Sequence, residues 1–221
     1  MTLHHPLIER DAMSEPRRAL ILVDIQNEYF DGPLEIQYPP RDQVLAAIID
    51  AITIANDNNL PVAAIRHELP TGAPIFGHGS TGAELHPEIA ALAKPEWRQE
   101  SKVYASIFDG TNLEAWLREQ DVDTITLVGF MTNNCVIGSA VGAEPLGLKV
   151  EVLSNATGAI NISNAAGEVD AQTLHTALLA VLNSNLAAVA DVAGWGQAVV
   201  DETALQGSNL IESALNTRAG A

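Results

Sequence analysis

The sequence predicts a three-layer α/β fold: an open, mostly parallel sheet of five or six strands with helices on both faces. Three observations predict it. Apolar runs of five to seven residues recur along the chain, and they are continuous rather than alternating, the pattern of strands buried on both faces. Segments with apolar residues at helical spacing separate them, and strand–helix alternation builds parallel βαβ units. Aromatic residues make up only 5% of the chain, while small aliphatic ones are plentiful, which suits helices packed on a buried sheet.

The first strand is ALILVDI (19–25), followed by a helix over RDQVLAAIIDAITIANDNN (41–59) that stops at its Asn-rich end. PVAAIRH (61–67) is the second strand. Residues 68–101, rich in Gly, Pro and His, are too long for a simple connection, and long loops in compact domains tend to carry function. GTNLEAWLREQ (110–120) reads as a helix with a Thr or Asn cap, and TITLVGF (124–130) as the next strand. TNNCVIGSAVGAEPLG (132–147) opens with capping Asn residues and closes at Pro145 and Gly147. LKVEVLS (148–154), the helix EVDAQTLHTALLAVLNSN (168–185) and NLAAVAD (185–191) complete the series. Residues 1–17 form an arm and 200–221 an extension, outside a single domain over 18–199. The tail ALQGSNLIESALN suits a short helix that docks on a neighbouring subunit.

Eleven basic against 28 acidic residues give a net charge of −17, which repels phosphate backbones and anionic lipid. Nucleic acid and membranes are therefore not expected partners. No stretch approaches the roughly 18 apolar residues of a membrane span. The N-terminal residues lack the apolar core of a signal peptide. One cysteine excludes an internal disulfide, and a free thiol favours a reducing compartment. The expectation is a cytoplasmic protein.

In sheets of this kind the ligand site lies beyond the carboxyl ends of the strands, and three side chains belong there. Asp24 ends the first strand, where a carboxylate is costly unless paired or placed at a site; capping the next turn is the plainer alternative. Lys102 precedes a short apolar stretch, and a lone lysine is ordinarily a surface residue. Cys135 sits at a helix start, where the dipole and free amides lower a thiol pKa, although a free cysteine is ordinarily core packing. A carboxylate, an ammonium and a thiol at one sheet edge together form an acyl-transfer set, with base, positive charge and nucleophile.

ALILVDIQNEYF, the lysine of ESKVYASIFDGTNLEAWL, and LVGFMTNNCV resemble the three signature segments of the isochorismatase-like cysteine hydrolase superfamily, in matching order over about residues 18–192. The resemblance implies a triad of Asp24, Lys102 and Cys135. Gly129, Thr132 and Cys135 match the family's G-x-x-T-x-x-C turn. It further implies a cis peptide at Phe130–Met131 and an oxyanion hole from the backbone amides of Met131 and Cys135. The activity implied is hydrolysis of an amide, ureido or carbamoyl C–N bond of a small molecule through a cysteine thioester, with no cofactor and in a homo-oligomer, dimer or tetramer.

Departures narrow this. Nicotinamidases of the superfamily carry a D-x-H metal motif after the second strand; here the positions are His67 and Leu69, so no metal is expected. The spacings of His67, His78 and His86 match no compact ligand motif. Gln26, Arg66, His67, Phe76 and His78 are candidate pocket residues. Arg66 is placed to bind a substrate carboxylate or to pair with Glu68, and His78 to line the pocket or order a Gly-rich turn. Asn155 replaces a common aspartate, and His175 is either packed or catalytic. Two alternatives remain: an isochorismatase-type vinyl ether hydrolase, and a non-catalytic binding or assembly protein with a redox-sensitive thiol.

Overall fold

The computed structural model describes residues 15–216. Most of the expected arm (residues 1–14) and the last five residues of the expected extension lie outside that range. Six strands form one parallel sheet: β1 (Arg18–Val23), β2 (Val62–His67), β3 (Arg98–Lys102), β4 (Thr124–Phe130), β5 (Lys149–Gly158) and β8 (Ala188–Ala190). Their order is β3-β2-β1-β4-β5-β8, and every pairing is parallel. The order reverses between β1 and β4, so the crevice for a ligand opens at the carboxyl ends of those two strands.

Helices α1 (Arg41–Asp57), α2 (Pro87–Leu92) and α6 (Val192–Val200) cover one face, where Ile48, Ile52, Ile89 and Trp195 meet Leu20 and Leu22 of β1. α3 (Leu113–Glu119), α4 (Ile137–Ala143) and the end of α5 (Ala171–Val181) cover the other, against Ile21, Val23, Ile65 and Leu127. β1 and β4 are buried along their whole length, which is why they carry unbroken apolar runs.

At the opposite end of the sheet a buried network ties four elements together. Arg18 Nη2 lies 2.9 Å from Glu151 Oε1, while Glu151 Oε2 accepts from Thr126 Oγ1 at 2.8 Å and Trp195 Nε1 at 3.0 Å. With Arg18 also donating to the Thr203 carbonyl, the pair is both charge-matched and hydrogen-bonded, the condition for holding ions inside a core.

The structure differs from the sequence reading in four places. β3 (RQESK) is an edge strand inside the expected long loop; its alternating burial and polar side chains give no apolar run. A small hairpin, β6 (Ile162–Asn164) and β7 (Gly167–Val169), precedes α5. The expected helix over 132–147 is a wide π-type turn at Thr132–Val136, then α4, then a 3-10 turn at Glu144–Leu146. α6 was hidden by its two glycines, and it carries the domain's helical structure to Val200. α7 (Leu210–Asn216) forms in the tail with no buried residue.

Candidate active site

The carboxyl ends of β1, β3 and β4 bring Asp24, Lys102 and Cys135 together. β1 ends at Val23, and Asp24 turns the chain out of the sheet with φ 49°, a conformation Asp tolerates better than most residues. Asp24 still donates its N–H to the Ile65 carbonyl, so the turn stays tied to β2. Lys102 is the last residue of β3 and pairs in register with His67 of β2. Cys135 lies in the wide turn that links β4 to α4; the Ser139 hydroxyl, donating to the Cys135 carbonyl at 2.6 Å, braces it. The Phe130–Met131 peptide bond is cis.

The Lys102 ammonium is the hub. Nζ donates to Asp24 Oδ2 at 2.7 Å, Cys135 Sγ at 3.2 Å and His67 Nδ1 at 3.3 Å. An ammonium has three N–H groups, and each meets one acceptor. The side chains of Lys102 and Asp24 are fully buried. Asp24 Oδ1 is sealed from solvent with no hydrogen-bond partner among the described residues, and the carboxylate interacts with the Cys135 thiol.

Burial raises the Asp24 carboxyl above its ordinary range, and the Lys102 ammonium opposes that shift. Cys135 corrects an expectation. Burial first, and the Asp24 charge second, push its thiol up to about 12, against the pull of Lys102. The helix start does not leave a resting thiolate, because removal from water outweighs the amides of one turn.

The remaining candidates divide. Gln26 is not free to bind a ligand: its Nε2 donates to the carbonyls of His67 (2.8 Å) and Ala83 (2.7 Å), and its Oε1 accepts from the His67 N–H (2.8 Å). It clamps β2 to the 80s loop. His78 points away, 70% exposed, with Nδ1 2.5 Å from Glu68 Oε1. Arg66 follows the opposite face of β2 from His67, and its charge acts on Glu68. Phe76 is buried against His67 and Tyr29, at ring separations of 5.1 and 5.3 Å. His67 alone of these touches the hub.

His175 is packed rather than exposed to the thiol. Its Nε2–H donates to the Ser154 carbonyl at 3.0 Å, leaving Nδ1 to accept from the Thr132 hydroxyl at 2.9 Å. It therefore ties α5 and β5 to the turn that carries Cys135. Asn155 accepts from the Val192 N–H at the start of α6, whose N-cap is Asp191.

Asp24, His67 and Cys135 each offer an atom within 4.8 Å of the others, spacing that a metal ion accepts. Lys102 Nζ contacts all three and takes the position such an ion would need. At the nicotinamidase-type motif positions, Leu69 packs against the apolar core and supplies no ligand. The residues present do not fit that metal.

Residues 18–194 match the family model described as Isochorismatase domain. The chain belongs to the isochorismatase family. An isochorismatase-family structure from Burkholderia xenovorans superposes with a TM-score of 0.90 at 39% identity, covering 93% of this chain and 98% of that one. A secreted isochorismatase effector of Verticillium dahliae is 30% identical over 79% of this chain and 84% of its own length. The nicotinamidase of Escherichia coli is 27% identical over 66% of this chain and 85% of its own. The protein is thus an isochorismatase-family hydrolase, and among the described residues no helix is long and apolar enough to cross a membrane.

Proposed function

We propose that the protein hydrolyses a C–N bond of a small amide, ureide or carbamate, with Cys135 as nucleophile, Asp24 as base and acid, and Lys102 as the charge that holds both. The observation that carries this reading is the buried ammonium in contact with Asp24 and Cys135 at once. The nicotinamidase among the relatives supports amide chemistry.

The steps follow from the protonation states. Asp24 is charged against Lys102, and Cys135 rests as a thiol, so proton transfer accompanies attack. Sγ forms a bond to the substrate carbonyl carbon as Asp24 takes the thiol proton, and the carbonyl π pair moves to oxygen. The backbone N–H groups of Met131 and Cys135 hold that oxyanion. Its collapse breaks the C–N bond, with the Asp24 proton passing to the leaving nitrogen. Asp24 then takes a proton from water, whose oxygen attacks the thioester; the C–S bond breaks, the acid is released, and the Asp24 proton passes to the sulfur and restores the thiol.

The test is ammonia release from a panel of small amides, ureides and carbamates, with intact-mass analysis for an acyl adduct. Cys135→Ala is expected to lose adduct and turnover together. Undiminished turnover in that variant would assign the chemistry to Asp24 alone, as in vinyl ether hydrolysis.

A further inference from the structure

His67 is held from three sides, yet one of its ring nitrogens is left over. Gln26 pairs with both its backbone N–H and its carbonyl. The ring lies against Phe76, with centroids 5.1 Å apart. Lys102 Nζ stands 3.3 Å from Nδ1. A lysine ammonium only donates, so Nδ1 must carry the lone pair and the ring proton must sit on Nε2. Among the described residues Nε2 has no hydrogen-bond partner, and it is not one of the sealed polar atoms. The ring thus turns Nδ1 to the Lys102 hub, one contact away from the thiol, and leaves a fixed N–H donor on Nε2 open to a ligand.

We infer that His67 is a specificity-determining residue, whose Nε2–H donates to a second oxygen acceptor of the substrate, a few bonds from the carbonyl that Cys135 attacks. Charge decides which acceptor. The Asp24 carboxylate and Lys102 ammonium cancel, and the reaction adds one negative charge on the substrate oxygen. Lys102 is the cation felt most strongly at Asp24 and the one felt at Cys135, and it is already engaged by three acceptors. Arg66 runs on the other face of β2. Among the described residues a substrate carboxylate would meet a neutral imidazole and no free cation, beside the growing oxyanion. Protonation of His67 does not rescue it, because the proton would have to enter at Nδ1 and face Lys102. The substrate class is an uncharged amide or ureide with a second carbonyl oxygen, rather than a half-amide acid.

The inference rests on the hydrolase reading for the identity of the pocket, so its test uses a signal that needs no turnover. Full-length protein labelled with ¹⁵N-histidine, carrying Cys135→Ala so that no amide is consumed, is titrated with malonamide (neutral second carbonyl), malonamate (carboxylate) and butanamide (no acceptor). The His67 ring is expected as the Nε2–H tautomer, and malonamide is expected to shift its Nε2 resonance at about tenfold lower concentration than the other two, the worth of one hydrogen bond. His67→Gln, which retains an amide N–H, is expected to keep part of the malonamide preference in binding, and His67→Phe to lose it. An Nδ1–H or cationic ring, preference for malonamate, or equal binding of malonamide and butanamide would overturn the assignment. No ammonia release from the natural protein, with these signals intact, would count against the hydrolase reading alone.

Discussion

Gly129 of β4 lies so close to Val23 of β1 that a Cβ on it would stand 2.1 Å from the Val23 carbonyl oxygen. Its φ of 108° is also closed to side chains. The two strands thus converge where Asp24 leaves one and the Cys135 turn leaves the other, and the register of β4 on β5 shifts at the same residue. The distance between base and nucleophile depends on this approach.

Gly129→Ala is accordingly expected to push β1 and β4 apart. Overpacking of this kind costs about 1–3 kcal/mol, which for a chain of this size lowers the melting temperature by about 2–12 °C. Thermal unfolding checks the magnitude. A variant that melts with the natural protein would show that the close approach is not required.

Lys102→Met removes one half of a fully buried ion pair. Breaking such a pair from one side leaves an uncompensated charge and costs about 3–5 kcal/mol. The double variant Asp24→Asn/Lys102→Met carries no buried charge at this site, so it is expected to be more stable than the single lysine variant. Urea unfolding midpoints decide the order. A double variant less stable than Lys102→Met would show that Lys102 contributes more through packing than through charge.

The parts of this arrangement readable in the sequence are those that buried apolar strands announce. β1, β2, β4 and β5 lose contact with water on both faces, so their composition marks them, and Asp24 and Cys135 stand out by ending or following them. β3 lies at the sheet edge with polar side chains, so Lys102 stands out only weakly, by the short apolar stretch after it, until its likeness to a family segment is added. The role of Gln26 escapes because it hangs on backbone partners across the site; a carboxamide that clamps two carbonyls and one that binds a ligand are the same residue in a sequence. The resting state of Cys135 escapes for a related reason: a helix start can be read from Asn and Thr, but the depth of burial that outweighs it cannot.

His175 supplies a pH dependence. Burial lowers its pKa from 6.5, and its Nδ1 must stay unprotonated to accept from Thr132. Below about 6.5 the unfolded chain takes up a proton that the folded ring refuses, so stability is full above that value and falls on acidification until the folded ring titrates. His67 is lowered by burial as well and acts in the same direction. His175→Gln is expected to flatten the fall in urea midpoint between neutral and mildly acidic pH. An unchanged pH profile would assign the acid loss to other groups.

Asp24 raises the Cys135 pKa through its charge, the second cause after burial, while Lys102 lowers it. Replacing the carboxylate with an amide of nearly the same shape removes the unfavourable charge and leaves the ammonium facing the sulfur. Asp24→Asn is therefore expected to ionise its thiol at lower pH than the natural protein, whose thiol stands at about 12. Thiolate ultraviolet absorbance against pH reads this directly and needs no reagent to reach the buried sulfur. The same variant is expected to lose at least about a hundredfold in turnover, because no group remains to carry the proton to the leaving nitrogen. More thiolate with less catalysis would separate the two duties of Asp24, holding the thiol proton and moving it. A thiol that ionises at higher pH in Asp24→Asn would instead show that Asp24 stabilises the thiolate by holding Lys102 in place.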